Sequence, residues 1–199
     1  MPECYGYAGK VLKIDLCSRT TSEYPWSDRD RAENLGGKIM AARILHNHLS
    51  GQETAFSEDN WVVISTGPLT GTGAPGSARF DIAALSPQND LPAFSNCGGA
   101  FGIWLKKAGY DALILTGRSR EQGWLEITEE QVLFHEAKEL WGTGTGQCQE
   151  KLSQLLVPGN SEGCALARQG KIWENSPPWP AMDIPLAGPD WVRFLAGRM

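Results

Sequence analysis

Residues 61–80 read Trp-Val-Val-Ile-Ser-Thr-Gly-Pro-Leu-Thr-Gly-Thr-Gly-Ala-Pro-Gly-Ser-Ala-Arg-Phe, and this stretch limits the fold more than any other. An apolar run at 61–64 is cut off by four glycines and two prolines within residues 67–76. Proline removes a backbone donor and glycine raises the entropy cost of ordering, so a regular element cannot continue through them. The chain must loop here before a second extended segment, in which Phe80, Ile82 and Ala84 fall on one side. Glycines also let backbone N–H groups approach a ligand closely, and Ser65, Thr66, Thr70, Thr72 and Ser77 add hydroxyl donors. With Arg79 at the exit, the loop has the content expected of one that holds a phosphorylated or polyoxygenated ligand. The same residue types build ordinary turns, so a plain connecting loop is the alternative.

Gly71-x-Gly73-x-x-Gly76 also spells the dinucleotide-binding fingerprint. That chemistry needs a helix opening at the glycines and an acidic residue about twenty positions on. Pro75 stands inside the motif, residues 80–85 read as a strand, and Asp90 lies in a Pro/Asn-rich loop. A Rossmann fold is excluded.

With 199 residues, 41% hydrophobic and 21% charged, the chain is long and apolar enough for one domain spanning residues 1–199. A net charge of −5 argues against nucleic acid and anionic membrane as main partners. No apolar stretch reaches the length of a spanning helix, and the N-terminus has no signal-peptide core, so a cytoplasmic location is expected. Five cysteines (Cys4, Cys17, Cys97, Cys148, Cys164) are odd in number and widely spaced, without a C-x-x-C pair. That is neither a disulfide framework nor a self-contained zinc or iron–sulfur site.

Leu12, Ile14 and Leu16 alternate with Lys13 and Asp15, which predicts a half-buried strand with residues 20–24 returning as its antiparallel partner. Residues 28–33 form a charged helical lead-in. Gly36-Gly37 then opens a helix with Met40/Ala41, Ile44/Leu45 and Leu49 on one face. Its uncovered N–H groups are a candidate anion site, with a simple turn as the alternative. His46 and His48 point to different sides of that helix and read as surface or boundary residues rather than joint metal ligands. The run 95–99, Ser-Asn-Cys-Gly-Gly, is expected to open another helix carrying Phe101, Trp104, Leu105 and Ala108, ended by Gly109 and followed by a strand at 110–116. The order Gly36-Gly37, helix, strand, Thr66-Gly67 matches Gly98-Gly99, helix, strand, Thr116-Gly117. This predicts an internal repeat with two related anion sites. Residues 124–127 and 132–134 form a hairpin with His135 at its edge, and Cys148 reads as a small core residue of a following helix. Residues 158–185 show no periodicity.

Several segments together resemble the N-terminal domain of the aldehyde:ferredoxin oxidoreductases, the tungsten–pterin enzymes. They are residues 66–80 (Thr-Gly-Pro-Leu-Thr-Gly-Thr-Gly-Ala-Pro-Gly-Ser-Ala-Arg-Phe), 6–16, 95–102 (Ser-Asn-Cys-Gly-Gly-Ala-Phe-Gly), 107–115 (Lys-Ala-Gly-Tyr-Asp-Ala-Leu-Ile-Leu) and Leu140-Trp141-Gly142. Residues 187–194 are similar to the segment that closes that domain. The match is collinear, good over 6–158, divergent over 159–184, and resumed in the closing segment 185–195. The resemblance implies an α+β fold of duplicated, intertwined β-α-β repeats on which two pterins sit. Their dithiolenes hold tungsten (molybdenum in some members), and a magnesium bridges their phosphates. It further implies that Asn96 offers its backbone carbonyl to that magnesium and that Arg79 faces the pterin or its phosphate. Gly98 and Gly99, with Gly71, Gly73 and Gly76, and Gly36, Gly37 and Lys38, would bring backbone close to the cofactor.

Where the family usually has Gly-Gly-Arg-Gly, this chain has Gly36-Gly37-Lys38-Ile39, which loses the planar guanidinium fork and adds a bulky side chain. Cys97 stands where a small residue, usually serine, follows the magnesium-binding asparagine. The segments that in the family carry the [4Fe–4S] cysteines and the acid/base residues fall after residue 199, in later helical domains, so no catalytic residue is assigned here. The leading expectation is therefore a pterin-binding N-terminal subunit or fragment of a tungsten-dependent aldehyde oxidoreductase, inactive alone. A separate C-terminal subunit would complete it and pass electrons to ferredoxin. The alternatives are a stand-alone pterin- or anion-binding scaffold, which could form a homodimer, and a truncated product without function.

Overall fold

The computed structural model describes residues 6–138, 140, 147–148, 150–151, 154, 161–165 and 193–197. In chain order the elements are β1 (Lys10–Asp15), β2 (Thr20–Glu23), α1 (Asp28–Asn34), α2 (Gly37–His48), β3 (Val62–Thr66), β4 (Arg79–Leu85), β5 (Pro92–Gly98), α3 (Phe101–Lys107), β6 (Tyr110–Thr116), β7 (Gly123–Thr128), β8 (Val132–Glu136), β9 (Ser161–Ala165) and β10 (Arg193–Gly197). They form a six-stranded sheet of order β2-β1-β6-β3-β4-β5 and a four-stranded sheet of order β8-β7-β10-β9.

The two sheets repeat one pattern. In the first, β1 pairs antiparallel with β2 and parallel with β6, which pairs antiparallel with β3. In the second, β7 pairs antiparallel with β8 and parallel with β10, which pairs antiparallel with β9. The side chains of β1 and β7 agree at three core positions. Leu12 and Ile14 of β1, like Leu125 and Ile127 of β7, enter one shared core between the sheets. Val11 points instead to the core under α2, and Trp124 to a small cluster with the buried Cys148, in a segment whose described residues are helical. The alternation of period two therefore puts equivalent residues of both hairpins on equivalent faces.

This corrects the repeat read from the glycine pairs. Helix α2 packs on one face of the six-stranded sheet through Met40, Ala41, Ile44 and Leu45, while α3 packs on the other through Phe101 and Leu105 and lies against β9 and β10. The two helix–strand units are thus not equivalent; the duplication relates hairpin to hairpin and sheet to sheet. Residues 95–98 also do not open a helix. They are the end of β5, paired along the whole of β4 from Leu85↔Pro92 to Arg79↔Gly98, and α3 starts only at Phe101 with Ala100 as its N-cap. β9 (Ser161–Ala165) lies in the stretch without periodicity, where no strand is expected, whereas β1, β2, α2, β3, β6, β7 and β8 fall where the periodicity placed them, with Gly109 at φ +90° after α3. Residues 141–146 and most of 158–192 lie outside the described residues.

One buried ion pair ties the N-terminal segment down. Lys106 Nζ is 2.6 Å from Asp111 Oδ1, with side chains only 9% and 2% exposed. The ammonium also donates to the Gly6 carbonyl, while the carboxylate accepts from the Ala8 and Gly9 amides at 2.9 and 2.7 Å. Such a pair adds little over apolar packing, but removing one partner strands the other charge, typically at about 3–5 kcal/mol. Asp111→Ala should lower the unfolding free energy by about that amount in urea denaturation; a change below about 1 kcal/mol would show that water already screens the pair.

Beyond the last turn of α2, the Glu53 carboxylate accepts from the Ser50, Gly51 and Gln52 amides and the Ser50 hydroxyl. These bonds, the Ser50 hydroxyl first, hold its pKa down at about 2. A depressed carboxylate lends stability that is present above its unfolded pKa and is lost as pH falls toward the folded one. An NMR titration of Glu53 should show its midpoint near 2; an ordinary glutamate midpoint would mean the turn does not hold.

Candidate functional site

The residues singled out in the sequence gather at one end of the six-stranded sheet. The C-terminal ends of β3 and β5 and the start of β4 lie there, because β4 is antiparallel to both neighbours. So does the first turn of α2. A Cβ on Gly36 would stand 2.6 Å from the Thr66 carbonyl oxygen and 3.0 Å from the Gly67 Cα. One on Gly37 would stand 2.8 Å from Asp81 Oδ2. Their φ angles of +155° and +56° also exclude ordinary side chains at low cost. Gly36 is there because the helix start presses on the end of β3, and Gly37 leaves room for the Asp81 carboxylate. Ser65, fully buried, fastens it by donating its hydroxyl to the Gly37 carbonyl at 2.8 Å.

Arg79, Asp81 and Ala83 of β4 pair with Gly98, Asn96 and Phe94 of β5, all on the face that carries α2. Across that face runs a relay. Arg79 Nε donates to Asn96 Oδ1, and Asn96 Nδ2 donates to Asp81 Oδ1 at 3.1 Å and to the Phe80 carbonyl at 3.3 Å. The Nη groups of Arg79 have no partner among the described residues and extend past Gly98, where a Cβ would meet Nη1 at an ordinary 3.6 Å. Gly98 is therefore not demanded by packing. Lys38 does not join the relay; its ammonium sits 4.9 Å from the centre of the Phe94 ring. A lysine over an aromatic face in this way gains a modest cation–π attraction.

The loop from Gly67 to Ala78 covers the same end. Thr70 anchors it, accepting from the Gly67 amide and donating to the Arg79 carbonyl, both at 3.2 Å. Gly71 rests on α3, where a Cβ would approach Ile103 and Lys106 at 3.7 and 3.9 Å. Gly73 and Gly76, and Gly99 beyond β5, have positive φ and open space beside the Cα. They leave backbone reachable from solvent at this end of the sheet. Cys97 alternates to the other face and is exposed, with Sγ only 3.4 Å from the Gly98 carbonyl. His48 stacks on Trp61 with ring centres 3.7 Å apart, and His135 stacks on Trp124 at 4.0 Å; both are away from this end. A shallow, solvent-open hollow beside Leu16, Arg19 and Trp124 lies at the far end of β1 and shares no residue with the shelf.

Sequence reading missed Asp81. It occupies the polar half of an apolar alternation, and only the crossing of α2 over β4 reveals that its carboxylate faces a helix start.

This is an α+β domain with a glycine-lined, arginine-bearing shelf at one end of a mixed sheet. A model of the family described as "Aldehyde ferredoxin oxidoreductase, N-terminal domain" matches residues 11–171, and the chain belongs to that family. The "Tungsten-containing aldehyde ferredoxin oxidoreductase" of Pyrococcus abyssi (strain GE5 / Orsay) is 32% identical over 150 residues, covering 75% of this chain and 25% of that protein. The "Aliphatic sulfonate oxidoreductase, WOR-like subunit" of Pyrococcus furiosus (strain ATCC 43587 / DSM 3638 / JCM 8422 / Vc1) is 32% identical over 196 residues, covering 96% of this chain and 30% of that one. Among solved structures, "Active site complex BamBC of Benzoyl Coenzyme A reductase in complex with 1,5 Dienoyl-CoA" aligns with a TM-score of 0.78 at 32% identity, over 82% of this chain and 25% of that chain. The chain thus spans about a quarter to a third of the length of these relatives.

Gly36→Ala should cost about 1–3 kcal/mol of stability, since it adds both a clash and a φ penalty. Gly73→Ala should cost only about 1 kcal/mol, for φ alone. Equal losses in thermal denaturation would show that the helix start is not pressed against β3.

Proposed function

We propose that this chain is the pterin-seating N-terminal part of a tungsten-dependent oxidoreductase that converts aldehydes to carboxylates. The observation that carries the reading is the convergence of Arg79, Asn96, Gly98 and the 67–78 loop at one sheet end, inside the segment that the family model matches. The residues present fit a phosphorylated heterocycle. Arg79 keeps its guanidinium Nη edge free among the described residues, and Gly73, Gly76 and Gly99 open backbone at the same end of the sheet. Arginine is the side chain best suited to phosphate oxygens, because its fork donates two parallel charge-assisted bonds.

When bound, a tungsten–pterin group would supply the redox chemistry, taking two electrons from the aldehyde. This chain's own share is binding and orientation, the usual contribution of protein to cofactor chemistry. Arg79 would hold a phosphate, with its Nε end fixed by Asn96 so that its remaining donors need not be ordered on binding. Magnesium, held in part by the Asn96 backbone carbonyl, belongs to the same reading. None of the five cysteines stands in a cluster-ligand motif, so the iron–sulfur cluster would be held by polypeptide beyond this sequence, in a separate subunit or a continuation.

A second reading has one observation in its favour: the match that runs through 196 residues is to a protein named as a subunit of a sulfonate oxidoreductase. In that reading the shelf and its ligand are the same, and the substrate is an aliphatic sulfonate. Assay of the protein as purified from its host against aldehydes and alkane sulfonates separates the two.

Tungsten and pterin should co-purify with the chain from its own host in a particle much heavier than 21.7 kDa. Arg79→Ala should lower the pterin retained per chain by about tenfold or more, with Arg79→Lys between the two, because losing a charge-assisted fork costs at least ~1.4 kcal/mol. Equal pterin content in wild type and Arg79→Ala would remove Arg79 from the site.

A further inference from the structure

Helix α2 starts without an N-cap side chain and without an acidic residue in its first turn. Helices usually answer their orphan N–H groups and the positive end of their dipole with one or the other. Here the nearest negative charge comes from another element. Asp81, half-buried on β4, points its Oδ2 at the Gly37 side of the helix start, where a Cβ on Gly37 would stand 2.8 Å from it. Its other oxygen is held by Asn96, which in turn holds Arg79. The one remaining cation of the helix start, Lys38, is turned away over Phe94.

We infer that Asp81 is a specificity-determining and positioning residue of the shelf. Its carboxylate is the resident anion of the α2 start and keeps a ligand phosphate away from Gly36–Lys38. Through Asn96 it also fixes Arg79 so that a single anion subsite remains, beside Gly98 and Gly99. The physics is like-charge repulsion: a phosphate placed at the helix start would stand within a few ångströms of a carboxylate, well inside the screening length of physiological salt. The helix dipole is already answered, so the N–H groups there offer a second anion much less than they would with Asp81 neutral. The expected pair of related anion sites thereby reduces to one on this sheet. The inference deepens the cofactor reading and rests on it only for the identity of the ligand; the exclusion itself concerns any phosphate.

The test is a titration of the full chain with inorganic pyrophosphate, followed by the amide NMR signals of Gly36–Lys38 and of Gly98 and Gly99, in wild type and in Asp81→Asn. In wild type, Gly98 and Gly99 should respond and Gly36–Lys38 should not. In Asp81→Asn, Gly36–Lys38 should respond as well, and pyrophosphate should bind about tenfold more tightly. Asp81→Ser, which removes the charge with less volume, should give the same gain, and Asp81→Glu should restore exclusion. A purely structural aspartate would change stability without opening a new anion response. Wild-type Gly36–Lys38 amides that move with pyrophosphate as they do in Asp81→Asn overturn the inference, as does the absence of any new response in both neutral variants. Failure of the pterin reading looks different: the gain in Asp81→Asn persists while the host-purified chain carries no pterin.

Discussion

The backbone at Gly36 lies closer to the end of β3 than any side chain permits, and the rest of the shelf depends on that contact. It brings a helix start over β4, which gives Asp81 a role that a solvent-facing strand residue would lack. It also fixes the end of β3, and with it the point where the glycine loop begins. Ser65 and Thr66, both buried, spend their hydroxyls on this geometry, one on the Gly37 carbonyl and the other on the Asp111 carbonyl. Buried hydroxyls of this kind are costly unless bonded, so the two bonds select one arrangement among many of similar apolar packing. The strain carried nearby, with Leu35 at φ +36° and 60% exposed, is tolerated at a place where its carbonyl is held by the Tyr7 hydroxyl.

The second constraint is the duplication. Two hairpins put leucine and isoleucine at matching positions into one core between the sheets, and α3 bridges them. Each hairpin alone has too little apolar surface to be stable. The six-stranded sheet then adds β4 and β5, and those two strands supply every charged residue of the shelf except Lys38. The proposed site sits on the part that breaks the symmetry, which is a common way for a site to be grafted on a repeated scaffold.

Much of this was legible in the sequence. The alternation of Leu12, Ile14 and Leu16, the stripe of α2 and the stop at Gly109 reflect local periodicity and turn chemistry, which the fold obeys. The collinear glycine-rich segments identified the family and pointed to Arg79, Asn96, Gly98 and Gly99, which the fold brings to one sheet end. What failed was decided by long-range contacts. Ser95-Asn96-Cys97-Gly98 has poor strand propensity, yet it pairs along the full length of β4, and that pairing overrides the local preference. The glycine pairs suggested the wrong repeat because the true one is written in strand order and facing, not in glycines. Asp81 gave no local signal at all; its meaning comes from a helix forty residues earlier in the chain.

In the proposed arrangement a pterin phosphate rests against the Arg79 edge of this sheet end, beside Gly98 and Gly99. A crystal structure of the protein as purified from its host, with whatever polypeptide accompanies it, tests this most directly. Phosphate oxygens should lie within hydrogen-bond distance of the Arg79 Nη atoms and none against the Gly36–Gly37 backbone. Pterin seated at the α2 start, or in the hollow beside Trp124 with Arg79 untouched, would contradict this arrangement.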